Sequence, residues 1–215
     1  MDTEVALIYR SKNFLLLVSL VLLILVSPLF VGTPARHLVF DALLNVVLLA
    51  TVYAAIENRR TRAVALVLAI VAMALMWANY SDPLDPGRLA GLILYILLCL
   101  FAIGLVLRRI VLAPTVNFDV LCAGIGLYLL LGVTWALIFV VMDAIQPGAF
   151  ESISLGLEND WTVFLYFSFA TLTTLGYGDI SPDSAVAQVW AVSEAVTGVL
   201  YLAVLVARLV SLYRE

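Results

Sequence analysis

Thr171-Leu172-Thr173-Thr174-Leu175-Gly176-Tyr177-Gly178-Asp179 is the stretch on which the reading of this sequence turns. It carries no charge before Asp179, and two glycines alternate with large side chains. It lies inside Asp143–Ser184, a segment with polar ends and a short apolar centre at Val163–Ala170. A membrane-crossing helix needs about 20 mostly apolar residues, so that centre is too short to span. It suits a re-entrant segment, whose backbone must be sheltered by protein or by a water-filled cavity. Trp161–Thr173 reads as a helix of 13 residues, with Asn159 or Asp160 as its cap. At 1.5 Å per residue it is roughly 20 Å long, and the negative end of its dipole meets Thr174.

The surroundings are those of a membrane protein. Of 215 residues, 65% are apolar and 12% charged, against about 45–50% and about 25% in an ordinary soluble domain. That little charge cannot cover a water-soluble enzyme, and a disordered chain needs the opposite bias. The formal charge of −4 with no basic block excludes nucleic acid as a partner. Cys99 and Cys122 lie in apolar runs and read as membrane-buried thiols.

Five further runs meet the length rule: Phe14–Val31, Leu38–Ile56, Ala63–Ala78, Leu89–Leu107 and Val120–Met142. Ala185–Leu212 is a sixth, with Glu194 and Arg208 inside it. The first run is too long for a signal-peptide core, and no small-residue cleavage site follows. The fold expected is all-α, six transmembrane helices with a re-entrant helix and loop between the fifth and sixth. Lysine and arginine counts orient it. Arg10, Lys12, Arg59, Arg60, Arg62, Arg108, Arg109, Arg208 and Arg214 fall on one side, and Arg36 and Arg88 on the other. Nine against two places both termini in the cytoplasm of a multi-pass plasma-membrane protein. The acids Asp82, Asp85, Asp143, Glu151, Glu158, Asp160, Asp179 and Asp183 gather outside, where they would concentrate cations.

From Val120 to the C-terminus the sequence resembles potassium channels, whose selectivity filter has the pattern T-x-G-Y-G-D. The resemblance implies that potassium ions are coordinated by Thr174, Leu175, Gly176, Tyr177 and Gly178. It implies a homotetramer in the lipid bilayer, since one chain supplies one loop and the filter is a fourfold ring. The residues agree. A dehydrated potassium ion needs a cage of oxygens, and Thr174–Gly178 offers only main-chain carbonyls and the Thr174 hydroxyl. Aiming successive carbonyls one way demands positive φ at some residues, which Gly176 and Gly178 permit. Leu175 and Tyr177 then point away from the axis and pack behind the filter. Thr173 and Asp179 flank it as support. Tyr166 and Phe167 stand where many family members carry a bracing tryptophan pair; they are aromatic but smaller. Ala170 replaces a glutamate that some relatives couple to the filter aspartate, so inactivation that relies on that pair is expected to be absent or altered.

The last span aligns with the family's inner helix. Gly198 falls at the hinge glycine, or serves as a small residue for close packing. Ala195, Val199, Leu202, Val206 and Val210 share one face. Val206 and Val210 are the expected constriction, closing by dewetting. Glu194 is costly at this depth, by about 2.5–3.5 kcal/mol on insertion scales for other charged residues. It reads either as a protonated structural acid bonded to Ser168 or Thr171, or as a charge felt by ions in the cavity.

The domains expected are 1–107, a four-helix unit with the topology of a voltage sensor; 108–119, a cytoplasmic linker; and 120–215, the pore. Leu89–Leu107 contains no lysine or arginine, so steep voltage sensing is not expected. Asp41 reads as sitting in an aqueous crevice or near Arg36. The sequence ends at Glu215, leaving no room within it for a soluble regulatory domain. Competing readings are a non-selective cation channel, a potassium-uptake transporter and a non-conducting regulatory subunit of a transport system. Tyr177, the single loop and its intact motif argue against each in turn.

Overall fold

A computed structural model describes residues 12–30, 33, 36–56, 58–78, 85–115, 117–152 and 161–213. The described helices are α1 (Lys12–Val26), α2 (Arg36–Ala55), α3 (Arg59–Ala78), α4 (Pro86–Leu112), α5 (Phe118–Ile145), α6 (Trp161–Leu172) and α7 (Ala185–Tyr213). A 3₁₀ turn, Ser27–Phe30, extends α1. All but α6 provide a stretch long and apolar enough to cross a membrane. This is an all-α membrane protein. Its one described sheet is the pair β1 (Phe150–Ser152) and β2 (Ile180–Pro182).

Helix starts follow the local chemistry. Asp85 Oδ1 accepts from the Gly87 and Arg88 N–H groups at 2.7 and 3.2 Å, with Pro86 in the first turn. Proline loses nothing there, because the N–H it lacks has no partner in the first turn. Asn117 caps α5 by accepting from Val120 N–H at 2.9 Å, and Ser184 accepts from Ala187 N–H at 3.1 Å.

The C-terminal carbonyls of α2 are served by arginines. Arg109 donates to Ala54 and Ala55 at 2.7 and 2.5 Å, and Arg62 donates to Ile56 at 2.8 Å. These cations therefore cap a helix end, where the dipole also favours them.

The core lies where α1, α2, α4 and α5 meet, around Leu16, Leu20, Leu44, Leu48, Cys99, Leu127 and Leu130. Tyr95 adds a hydroxyl that donates to the Leu44 carbonyl. The four-helix unit packs directly on α5 through α1 and α4. Asn13 Nδ2 donates to Asp119 Oδ2 at 2.7 Å, fixing the start of α1 to the start of α5.

Two expectations change. Helix α4 runs past Arg108 and Arg109 to Leu112, so the connection to α5 is only 113–117 rather than 108–119. The arginine pair marks where apolar sequence stops, and it does not end the helix. Asp41 is 4% exposed, which excludes an open aqueous crevice, and Arg88 acts on it electrostatically; the Arg36 side chain lies outside what is described. The proposed caps Asn159 and Asp160 lie outside the described residues.

Candidate functional site

The segment containing the quoted motif leaves and returns at one neck. Phe150 pairs with Pro182 and Ser152 with Ile180 in antiparallel register. Asp183 and Ser184 N–H groups both reach the Ala149 carbonyl, at 2.9 and 3.3 Å. Between these anchors α6 descends and the loop 173–179 comes back.

The loop backbone alternates in hand. Thr174, Gly176 and Gly178 have φ of 59°, 55° and 78°, while Leu175 and Tyr177 do not share that sign. Glycine adopts this region without penalty. Threonine does not, and its position here is over-determined by hydrogen bonds on either side. Thr174 N–H donates to the Thr171 carbonyl at 2.9 Å. Leu175 and Gly176 N–H groups both donate to the Ala170 carbonyl, at 2.8 and 3.1 Å. The N–H donors of Thr173, Thr174, Leu175 and Gly176 thus turn back onto the end of α6. Residues 173–178 are exposed in the protomer, so their carbonyls are open to a partner from outside it. No acidic side chain lies within Thr174–Gly178.

Support comes from α6, though not from all the residues expected. Tyr166 hydroxyl donates to Asp179 Oδ2 at 2.8 Å, and its ring stacks on Tyr177 with centroids 6.4 Å apart. This bond to the Asp179 carboxylate raises the Tyr166 phenol above its ordinary pKa. Asp179 Oδ1 accepts from Ile180 N–H at 3.1 Å. Phe167 is turned away from Asp179 within the protomer. One residue further round the helix, it packs on Phe139 and Phe150, with centroids 5.1 and 5.3 Å away. Thr173 Oγ1 donates back to the Phe169 carbonyl at 2.7 Å. Leu175 and Tyr177 are 57% and 68% exposed, so the protomer itself supplies little packing behind them.

Helix α7 faces this assembly with a regular stripe. Ala187, Ala191, Glu194, Gly198 and Tyr201 are buried, with Leu205 and Arg208 half-buried below them. Trp190 meets Trp135 edge to face at 5.8 Å. Ser168 Oγ lies 2.5 Å from Glu194 Oε1. At Gly198 a Cβ would stand 2.2 Å from the Leu172 carbonyl oxygen, so close packing alone requires glycine there. Tyr128 hydroxyl donates to the same carbonyl at 3.3 Å. Tyr201 hydroxyl donates to Gly124 O at 2.6 Å, and Arg208 donates to Ala113 O at 2.7 Å.

The neighbouring face, one residue on around the helix, is left uncovered by the protomer: Val199, Leu202 and Val206 are 53%, 43% and 56% exposed. The Val210 side chain lies outside what is described. Glu194, by contrast, is 0% exposed. It is packed against Ser168 of α6 and is not open to solvent in the protomer. Sequence reasoning missed the Tyr128, Tyr201 and Arg208 ties. A lone tyrosine or arginine in an apolar helix gives no sign of which carbonyl it will reach.

No solved structure matches the chain. Residues 124–215, which hold α6, the loop, α7 and most of α5, match a family model described as ion channel, and this supports an ion channel.

Proposed function

We propose that this chain forms a homotetrameric channel that passes potassium ions passively and selectively. Four copies of the Thr174–Gly178 loop ring one axis, and the carbonyls of Thr174, Leu175, Gly176 and Tyr177 replace the water around each ion. The observation that carries the reading is the alternating hand of the loop together with N–H groups committed to Ala170. That arrangement commits the N–H groups of the first half of the loop to α6, in a segment without an acid to bind divalent or non-specific cations. The uncovered faces of Leu175, Tyr177 and α7 support a tetramer, because neighbouring copies would complete their packing. In this reading α6 is re-entrant, both termini are cytoplasmic, and Val206 and Val210 form the constriction. Voltage does not gate it steeply.

Purified protein in bilayers, with potassium and sodium on opposite sides, tests the proposal. The reversal potential is expected to follow potassium. A reversal potential tracking both ions equally would replace it with a non-selective cation channel.

A further inference from the structure

We propose that Glu194 is a positioning residue, held as a neutral carboxylic acid that donates to Ser168 Oγ while Ser168 donates onward to the Gly132 carbonyl. Its functional arm rests on the reading of the loop as a selectivity filter. The argument is a count of protons. Ser168 Oγ is 2.5 Å from Glu194 Oε1 and 2.7 Å from Gly132 O. A hydroxyl has one proton to give, and a carbonyl and an ionised carboxylate can only accept. With Glu194 ionised, two short contacts would share one donor. A proton on Oε1 supplies the second and turns the three groups into a chain with one direction.

Burial points the same way. Glu194 and Ser168 are both 0% exposed. Glu194 Oε2 has no hydrogen-bond partner among the described residues. An ionised carboxylate with one oxygen unserved in an apolar site costs far more than a neutral acid whose carbonyl oxygen is unserved. The titratable group of α5 that feels Glu194 is Tyr128, whose hydroxyl is directed to Leu172 O instead.

The chain of bonds joins α7, α6 and α5 at a single point. Ser168 lies two residues before Ala170, whose carbonyl takes the N–H groups of Leu175 and Gly176. Glu194 lies one turn before Gly198, against which the last carbonyl of α6 is seated. Displacing this junction would move the base of the loop through less than one helical turn.

Infrared difference spectra of the full-length tetramer in lipid, wild type against Glu194→Gln, test the proton. The carbonyl band of a protonated acid is expected in the wild type and lost in the variant. Ser168→Ala, a small change that keeps the fold, is expected to move that band to higher frequency as its acceptor is removed. Loss of ionised-carboxylate bands instead, or a band indifferent to Ser168→Ala, overturns the proposal. Recording supplies the positioning arm. Glu194→Gln, whose amide still donates to Ser168, is expected to keep the wild-type ion preference, and Glu194→Leu to lose it. Equal selectivity in both variants overturns the positioning role. A wild-type pore without selectivity would sink the filter reading and leave the infrared result standing.

Discussion

Thr174 is the loop residue whose backbone the sequence conceals. Gly176 and Gly178 advertise positive φ, but a threonine at 59° is dictated by neighbours on the end of α6 and not by its own preference. The glycines make the sharper test. Gly176→Ala adds a Cβ in left-handed backbone, costing about 1–2 kcal/mol in each copy. The expected result in bilayer recording is lost conduction or lost selectivity from an assembled protein. Gly198→Ala acts differently from a simple stiffening of a hinge. Its Cβ meets a backbone oxygen at 2.2 Å, and overpacking of this kind costs typically about 1–3 kcal/mol. Reduced thermal stability of the protein is expected, measured against Gly104→Ala, where a Cβ meets nothing within 4 Å. Tyr166 gives a pH signature. Its pKa is raised by donation to Asp179, so the bond is fully present below the ordinary tyrosine value of about 10. It is lost only as pH rises through the higher folded value. Ultraviolet titration of wild type against Tyr166→Phe should show one tyrosine ionising late; a difference spectrum that titrates at the ordinary value would remove the brace.

At the level of elements, α7 separates two readings of its lower half. Tyr201, Leu205 and Arg208 all engage α5 or the 113–117 connection beyond Gly198. A swing about Gly198 would have to release each of them, whereas a gate in the loop would release none. Val206→Asp distinguishes these cases, because four acids would wet an apolar constriction. Raised open probability with potassium selectivity intact places the gate at Val206. Unchanged closed-state leak in folded tetramers moves it to the loop. Helix α4 makes its own prediction. Moving one charge through the field yields about 2.3 kcal/mol per 100 mV, and Leu89–Leu107 has none to move. Arg109, just beyond it, is committed to the end of α2. A shallow conductance–voltage curve is expected, and a steep one would assign a sensor elsewhere.

For the whole molecule, the spans were legible because apolar length is a one-dimensional property that a membrane enforces. The motif was legible because two glycines and the absence of acids state a backbone requirement. What escaped was direction. Phe167 and Tyr166 are adjacent and aromatic, yet one faces α5 and the other Asp179. The four-helix unit gave no hint in sequence that α1 would lie on α5 with Asn13 against Asp119. If potassium binds the assembled loops, it stabilises the tetramer by mass action. Added potassium is expected to raise the temperature at which the tetramer dissociates, and sodium to leave it lower. The buried stripe of α7 carries one more consequence. Its members, 187, 191, 194, 198, 201, 205 and 208, repeat every seven residues in steps of four and three. A straight helix drifts by about 20° per heptad against such a repeat. To keep that seam closed from Ala187 to Arg208, α7 must coil left-handedly about its own protomer. If four copies assemble as proposed, the strip each offers its neighbours winds around its helix, and the four helices cross at a slant in preference to standing as an upright parallel bundle.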